Sequence, residues 1–293
     1  MKTAVVVGAT SMLGRQLIAR LEADGVAVLT AGRAGQAAIG LDLESGWLGG
    51  GPDASMRADV LFHCAASFLG DSREGVRKNF LVNALGCHWV LDLAERLQCT
   101  QVVNAGSIFS IDGVDSAGVN SYGLSKAQGE QILAWGMHRQ GGRSCTLRLP
   151  QLYDVAGECV RHQPWFGRII AYAARGLDLR MPASAGTRNF LHVQDAAAMM
   201  LAAAKRGEDC TMDVAHPESM AHEHIAALAY EIFGKSGNVL CAPEKAPFRG
   251  IAAPNGQAAF ERLDLAPAIS MAQGIALIRD AGSWAAFGPL DVT

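Results

Sequence analysis

Met1-Lys-Thr-Ala-Val-Val-Val-Gly8-Ala-Thr-Ser11-Met-Leu-Gly14-Arg-Gln-Leu-Ile18 is the stretch whose reading decides the fold. A short β-branched run, Val5 to Val7, passes through a glycine turn into the helical spacing Leu13, Leu17, Ile18 and Leu21. A buried parallel strand that runs through glycines into a helix is the context in which a glycine motif binds a dinucleotide. Glycine allows the tight turn and the close approach of backbone to a pyrophosphate, and the helix N-terminus favours the anion. The spacing is G-x-x-S-x-x-G, with Ser11 where a middle glycine is expected. Its hydroxyl can donate to a phosphate, while its Cβ pushes the ligand outward. The reading assigns Gly8, Thr10, Ser11, Met12, Leu13 and Gly14 to cofactor binding.

Outward from this turn, strand-like runs at about 3–7, 26–30, 37–41, 59–64, 101–104 and 144–149 alternate with helical patterns. Such alternation implies an α/β fold, a doubly wound parallel sheet with helices on both faces. Two long helices are expected over 74–97 and 121–139. The chain changes character after about residue 150, where Pro150, Pro164 and Pro182 punctuate less regular stretches.

The end of the second strand selects the cofactor. In dinucleotide folds an acidic side chain there accepts from the ribose hydroxyls of NAD, and an arginine accommodates the 2′-phosphate of NADP. Here Val26-Ala-Val-Leu-Thr30 ends in Ala31-Gly32-Arg33, with no carboxylate until Asp42. Arg33 would bind the phosphate through a charge-assisted bond. The expectation is NADP(H) over NAD(H).

Tyr122 and Lys126 lie four residues apart in Ser-Tyr-Gly-Leu-Ser-Lys, one turn apart on one face of a helix. A free tyrosine, with a pKa of about 10, is a poor acid-base group at neutral pH. A neighbouring ammonium favours the phenolate, so Lys126 is expected to lower the Tyr122 pKa toward useful proton transfer.

Composition excludes several classes. The chain of 293 residues is half apolar and carries a net charge of -3, with no basic block of the kind a nucleic-acid footprint needs. The longest apolar run, Ala196 to Ala204, is too short to cross a bilayer. The first strand begins at residue 3, which leaves no room for a signal peptide. The expectation is a soluble cytoplasmic protein without membrane or nucleic-acid partners. The seven cysteines are scattered, with no C-x-x-C pair, and read as structural thiols. His216, His222, Glu223 and His224 read as a solvated helix start rather than a metal site, because residues 222 and 224 point to different helix faces; no metal is expected.

Together the glycine turn and the Tyr122/Lys126 pair resemble the extended short-chain dehydrogenase/reductase family, the NAD(P)-dependent nucleotide-sugar epimerases, dehydratases and reductases. Further motifs follow in the same order. Asp42-Leu43 resembles the acidic position after the third strand that contacts the adenine. Asp59-Val-Leu-Phe-His-Cys-Ala65-Ala66 is similar to the fourth strand ending in an Ala-Ala pair beside the pyrophosphate, and Asn83 sits in a V-N-x-x-G helix. Ser107 falls where the family's catalytic serine follows the fifth strand, with Ser110 a poorer substitute, because Gly-Ser-Ile-Phe-Ser departs from the usual serine-rich run. Arg188-Asn-Phe-Leu-His192-Val-Gln-Asp195 resembles R-D-F-x-H-V-x-D.

The resemblance implies a Rossmann-type domain over 1–150 and a smaller, mainly substrate-binding domain over 151–293, with 186–206 returning to the first. It also implies a homodimer packed through the two long helices. Catalysis would use Ser107, Tyr122 and Lys126, and the cofactor would also touch Tyr122, Lys126, Asp42, Leu43, Ala65, Ala66 and Asn83. Arg188 aligns with an arginine that binds a nucleotide-sugar diphosphate. Arg168 and Arg249 are further cations, and Trp165-Phe166 can stack on a base or sugar. Where the family has Tyr-Gly-Pro the chain has Tyr153-Asp-Val, and it is shorter than typical epimerases, so a smaller substrate fits the reading as well. The expected activity is NADPH-dependent reduction of a keto group on a nucleotide-sugar or similar small carbonyl compound. An epimerase holding NAD firmly and a non-catalytic dinucleotide sensor are the alternatives.

Overall fold

The computed structural model describes residues 1–33, 35, 37–49, 51–111, 118–288 and 290. They form two compact units, one made of Met1–Leu149 with Ala197–Val214, the other of Pro150–Ala196 with Ala215–Thr293.

The first unit is built on β1 (Thr3–Val7), α1 (Met12–Ala23), β2 (Ala27–Gly32), β3 (Ile39–Asp42), β4 (Gly46–Trp47), β5 (Val60–His63), α2 (Arg73–Phe80), α3 (Cys87–Arg96), β6 (Gln101–Ser107), α4 (Ser121–Arg139) and β7 (Arg143–Leu149). Its eight-stranded sheet runs Cys210–Asp213, β7, β6, β5, β1, β2, β3, β4. Every pair is parallel except β3 with β4. The reversal of strand order at β1 makes this a Rossmann-type sheet, with the crevice for a ligand outside the carboxyl ends of β1 and its neighbours. Val5 and Leu61 stand in register, as do Leu61 and Val102. These fully buried strand residues belong to one core with Val90 and Leu93 of α3 and Leu133 and Met137 of α4.

A five-residue π turn, Leu81–Leu85, joins α2 to α3, so the helix expected over 74–97 is interrupted once by a wider turn. The π turn brings the Asn83 carbonyl against α4, where a Cβ at position 129 would stand 2.1 Å from that oxygen. Gly129 is therefore what lets the two helices close.

In the second unit, Arg188–His192 is the middle strand of a three-stranded sheet, parallel to Gln151–Tyr153 and antiparallel to Ser219–Met220. This differs from the expected return of 186–206 to the main sheet. The returning strand is Cys210–Asp213, which pairs with β7, and the helix Val193–Arg206 leads to it, its residues from Ala197 onward belonging to the first unit. The physical reason is that Phe190 and His192 find their apolar partners inside the second unit. Phe190 packs near Phe166, and His192 lies edge-on to the buried ring of Tyr153.

Candidate active site

At the carboxyl end of β1 the chain turns through Gly8, at φ +84°. A Cβ there would lie 2.6 Å from the Ala65 nitrogen, and one at Gly14 would lie 2.2 Å from the Gly8 carbonyl oxygen. Both positions demand glycine. Ser11 is the N-cap of α1, its hydroxyl oxygen accepting from the Gly14 N–H at 3.0 Å, which leaves the hydroxyl proton to donate. Thr10 is exposed, Gly8, Ser11 and Met12 are half-buried, and Leu13 turns into the core. A positive-φ turn, glycine close approaches and a capped helix N-terminus fit a dinucleotide pyrophosphate. Arg33 is exposed directly after β2, and Asp42 is half-buried at the end of β3, where its carboxylate accepts from the Glu44 N–H. Leu43 is buried in the core, so its backbone rather than its side chain is what a ligand could meet.

Beside the glycine turn, the segment leaving β5 is held by side chains. Ala65 is half-buried and Ala66 exposed. Asn83 accepts from the Ser67 N–H at 2.7 Å, donates to the Ser67 carbonyl at 2.8 Å and donates to Ser125 Oγ at 3.1 Å. Its amide is thus spent on the loop, where the sequence assigned it to the cofactor. Asn79, which sequence reasoning missed, accepts from Ser67 Oγ and the Leu69 N–H and donates to the Leu69 carbonyl and Ser121 Oγ. Asp71 accepts from the N–H and hydroxyl of Ser121, at the start of α4. The i, i+4 spacing of two buried asparagines was the available signal.

α4 brings the reactive side chains together. Asn120 caps it, accepting from the Gly123 N–H at 2.8 Å. Tyr122, half-buried, has the Ser107 side chain beside it, whose oxygen accepts from the Phe109 N–H. Ser110 is buried, and its hydroxyl has no hydrogen-bond partner among the described residues. Between the two serines left open by the sequence, Ser107 is the one that acts on the Tyr122 hydroxyl.

Burial pushes the Tyr122 hydroxyl up to about 12; the Ser107 hydroxyl pulls against this, and the Glu130 carboxylate adds to it. Lys126, itself buried, has its pKa lowered by that burial, and its ammonium donates to the Ala105 carbonyl at 2.6 Å. The expected lowering of the Tyr122 pKa by Lys126 is therefore not what this arrangement produces. The lysine is anchored to β6, and desolvation of the phenolate dominates. Glu130, another residue not anticipated, follows Lys126 by one turn. It is buried, and it accepts from Arg148 at 2.9 Å, which in turn donates to Asp213.

In the second unit, Arg188 is half-buried and donates to the Arg249 carbonyl at 3.0 Å. Burial and the charge of Arg249 lower its pKa. Trp165 lies edge-on to Phe248, with the Arg168 guanidinium 4.6 Å from its ring centroid. One region of this ring is thus taken by a cation. Phe166 is buried in the aromatic core. His222 is buried against Phe248 at 4.2 Å rather than solvated, because the start of its helix packs under that ring. Among the described residues no group of His, Cys, Asp and Glu is arranged to hold a metal ion, and no helix is long and apolar enough to cross a membrane.

The family model described as the NAD dependent epimerase/dehydratase family matches residues 4–214. Curated protein sequences give no match. Among solved structures, UDP-N-acetylglucosamine 4-epimerase from Bacillus cereus is similar over 96% of this chain and 99% of its own, with TM-score 0.76 and 19% identity. RMD from Pseudomonas aeruginosa complexed with NADPH is similar over 97% of each chain, with TM-score 0.76 and 17% identity. UDP-glucose 4-epimerase from Thermus thermophilus, in complex with NAD, covers 97% of this chain and 99% of its own, at TM-score 0.71 and 19% identity.

Proposed function

Because this chain belongs to the NAD dependent epimerase/dehydratase family, we propose that it is an NADPH-dependent reductase of a keto group on a nucleotide-sugar or similar small carbonyl compound. The observation that carries this reading is the state of Tyr122. Its burial, which outweighs the opposing pull of Ser107, keeps the phenol protonated at neutral pH, so it is ready to give a proton rather than to take one. Gly8, Ser11 and Gly14 would hold the dinucleotide phosphates and Arg33 the 2′-phosphate. When bound, the cofactor supplies a hydride to the carbonyl carbon.

The chain's own residues do the rest. Ser107 orients the carbonyl oxygen by hydrogen bonding, and Tyr122 donates its proton as negative charge develops there. Lys126, pinned to Ala105 and backed by Glu130, keeps a positive charge near the emptied phenolate, and the proton is restored from solvent. Arg188 and Arg249 would meet a substrate diphosphate. A homodimer through α2, α3 and α4 is part of the same proposal, supported by the exposed Leu85 and Trp135 on that helical pair.

Epimerisation with firmly held NAD is the second reading, favoured by the epimerases among the structural neighbours. Titration with NADPH and NADH side by side, followed at 340 nm with keto substrates, separates the two. Net NADPH oxidation that falls by about a hundred- to ten-thousand-fold in Tyr122→Phe, with NADPH affinity retained, is the expected result. Sugar interconversion without net cofactor consumption would move epimerisation to the front. Arg33→Ala is expected to weaken NADPH binding about tenfold or more while hardly changing NADH; equal losses would remove Arg33 from the phosphate.

A further inference from the structure

Tyr122, Lys126 and Glu130 follow one another at steps of four on α4, so the carboxylate stands one turn, about 6 Å, beyond the ammonium on the same face. Glu130 is buried. One of its oxygens accepts from Arg148 Nε at 2.9 Å, and Arg148 Nη1 donates onward to Asp213 at 3.2 Å. The other, Oε1, is also buried and has no hydrogen-bond partner among the described residues. A Cβ at position 106 would stand 2.8 Å from that oxygen and 2.6 Å from Thr146 Cγ2. Gly106 lies opposite Arg148 in the register of β6 with β7, so a side chain there would occupy the space in which carboxylate and guanidinium meet. It also follows Ala105, whose carbonyl holds the Lys126 ammonium. The bare step in β6 thus admits a carboxylate next to the anchor of the lysine.

An ion pair that served only to tie α4 to β7 would gain nothing from a desolvated carboxylate oxygen without a donor, which costs free energy. The other ionisable groups around the Tyr122/Lys126 pair are neutral at neutral pH. His63 and Cys64, at the end of β5, and Cys87 of α3 face Lys126; burial holds His63 down at about 3 and pushes both thiols up to about 12. Ser107, from β6, carries no charge, and Arg148, from β7, is paired with Glu130 and Asp213. Glu130 is therefore the anion of this group, and its charge acts on Tyr122 and Lys126 alike. An anion close by favours the protonated form of each. Resting on the reductase reading above, we infer that Glu130 is a positioning residue of the reduction: from one turn beyond Lys126, its carboxylate keeps the proton on the Tyr122 hydroxyl and the charge on the Lys126 ammonium, so that the pair is loaded when a carbonyl arrives. Arg148 and Asp213 fix the carboxylate in place, and Gly106 leaves it room.

The test compares the wild-type chain with Glu130→Gln, which keeps an acceptor for Arg148 but removes the charge, and Glu130→Asp, which keeps the charge. NADPH oxidation with a 4-keto UDP-sugar gives kcat/KM against pH, and NADPH titration with urea unfolding verifies folding. Reduction fails at high pH once the first of the two groups loses its proton. Removing an anion that holds both protons should move this alkaline limb to lower pH in Glu130→Gln, by about one pH unit, and Glu130→Asp should stay close to the wild type. Arg148→Met takes away a competing cation, so its limb should hold or rise. A substrate-free readout accompanies these: the phenolate absorbance of Tyr122 after a pH jump, taken as the difference between each chain and its Tyr122→Phe counterpart. Its midpoint should fall in Glu130→Gln as well. A carboxylate with a purely structural role would weaken the variants in urea and leave limb and absorbance midpoint in place, which overturns the inference. A limb that falls equally in Glu130→Asp or in Arg148→Met overturns it too. A lowered absorbance midpoint in a chain that reduces no ketone at any pH would support the placement of the charge while removing the reductase reading.

Discussion

Two neighbouring strands of the sheet, β1 and β5, end level with each other, Val7 opposite His63, and the segments that leave them are built by opposite means. After β1 the chain turns on its own backbone: one glycine at positive φ, a second glycine that lets the helix close on the turn, and a serine cap three residues from its partner. After β5 the path is imposed from outside, by asparagines on a helix 10 to 16 residues further on and by the first residue of α4, 50 residues on. The first turn is local and needs its residues in order. The second depends on the rest of the unit having folded around it. A backbone turn can present N–H groups to a phosphate, whereas a side-chain-tied loop is free to vary the side chains it presents.

The contrast can be broken most severely at Gly8. Gly8→Val puts a β-branched side chain at φ +84° and against Ala65; NADPH affinity should fall by at least about 100-fold, and a variant that binds normally in titration would refute the role of this turn. At the second loop, Asn83→Leu strands both peptide groups of Ser67. Urea unfolding should register a loss of about 3 kcal/mol, with turnover impaired more than NADPH affinity. Equal losses in both would return Asn83 to the cofactor, as the sequence had it.

A smaller, pH-dependent effect belongs to the β5 side as well. Burial, with the charge of Lys126 adding to it, depresses the His63 pKa to about 3. A depressed native pKa means that the contribution is fully present above the unfolded value of about 6.5 and is lost as pH falls from there toward about 3. By about pH 4.5 the His63 share should be on the order of 2 kcal/mol. His63→Phe should flatten that part of the acid slope in chemical unfolding; an unchanged slope would assign it to other groups.

What could be read in advance follows the same division. The glycine turn, the strand–helix alternation and the one-face spacing of Tyr122 and Lys126 are local or periodic, and each appears in the chain as expected. Interactions across long separations were not legible. Asn79 reaches Ser121 and Asn83 reaches Ser125, each over 42 residues, and a single asparagine in a helix carries no sign of its distant partner. Lys126 was legible as a neighbour of Tyr122 but not as a donor to Ala105, because the aim of a long side chain depends on what the adjoining strand offers. The return to the large sheet was assigned one strand too early for a related reason. Arg188–His192 and Cys210–Asp213 are both short segments flanking one helix, and only packing partners distinguish which joins β7.

The π turn at Leu81–Leu85 has a consequence for how this protein can change over generations. It carries an extra residue in mid-helix, with Asn79 and Asn83 set toward the loop on one side and Val90 and Leu93 set into the core on the other. Each residue of an α-helix advances the face by about 100°. Deleting one residue here would rotate the asparagines away from the loop or the aliphatic side chains out of the core, since both cannot be kept. Substitutions along this helix are graded in their effect, but its length is an all-or-none character, and insertions or deletions are the class of change that its lineage can least absorb.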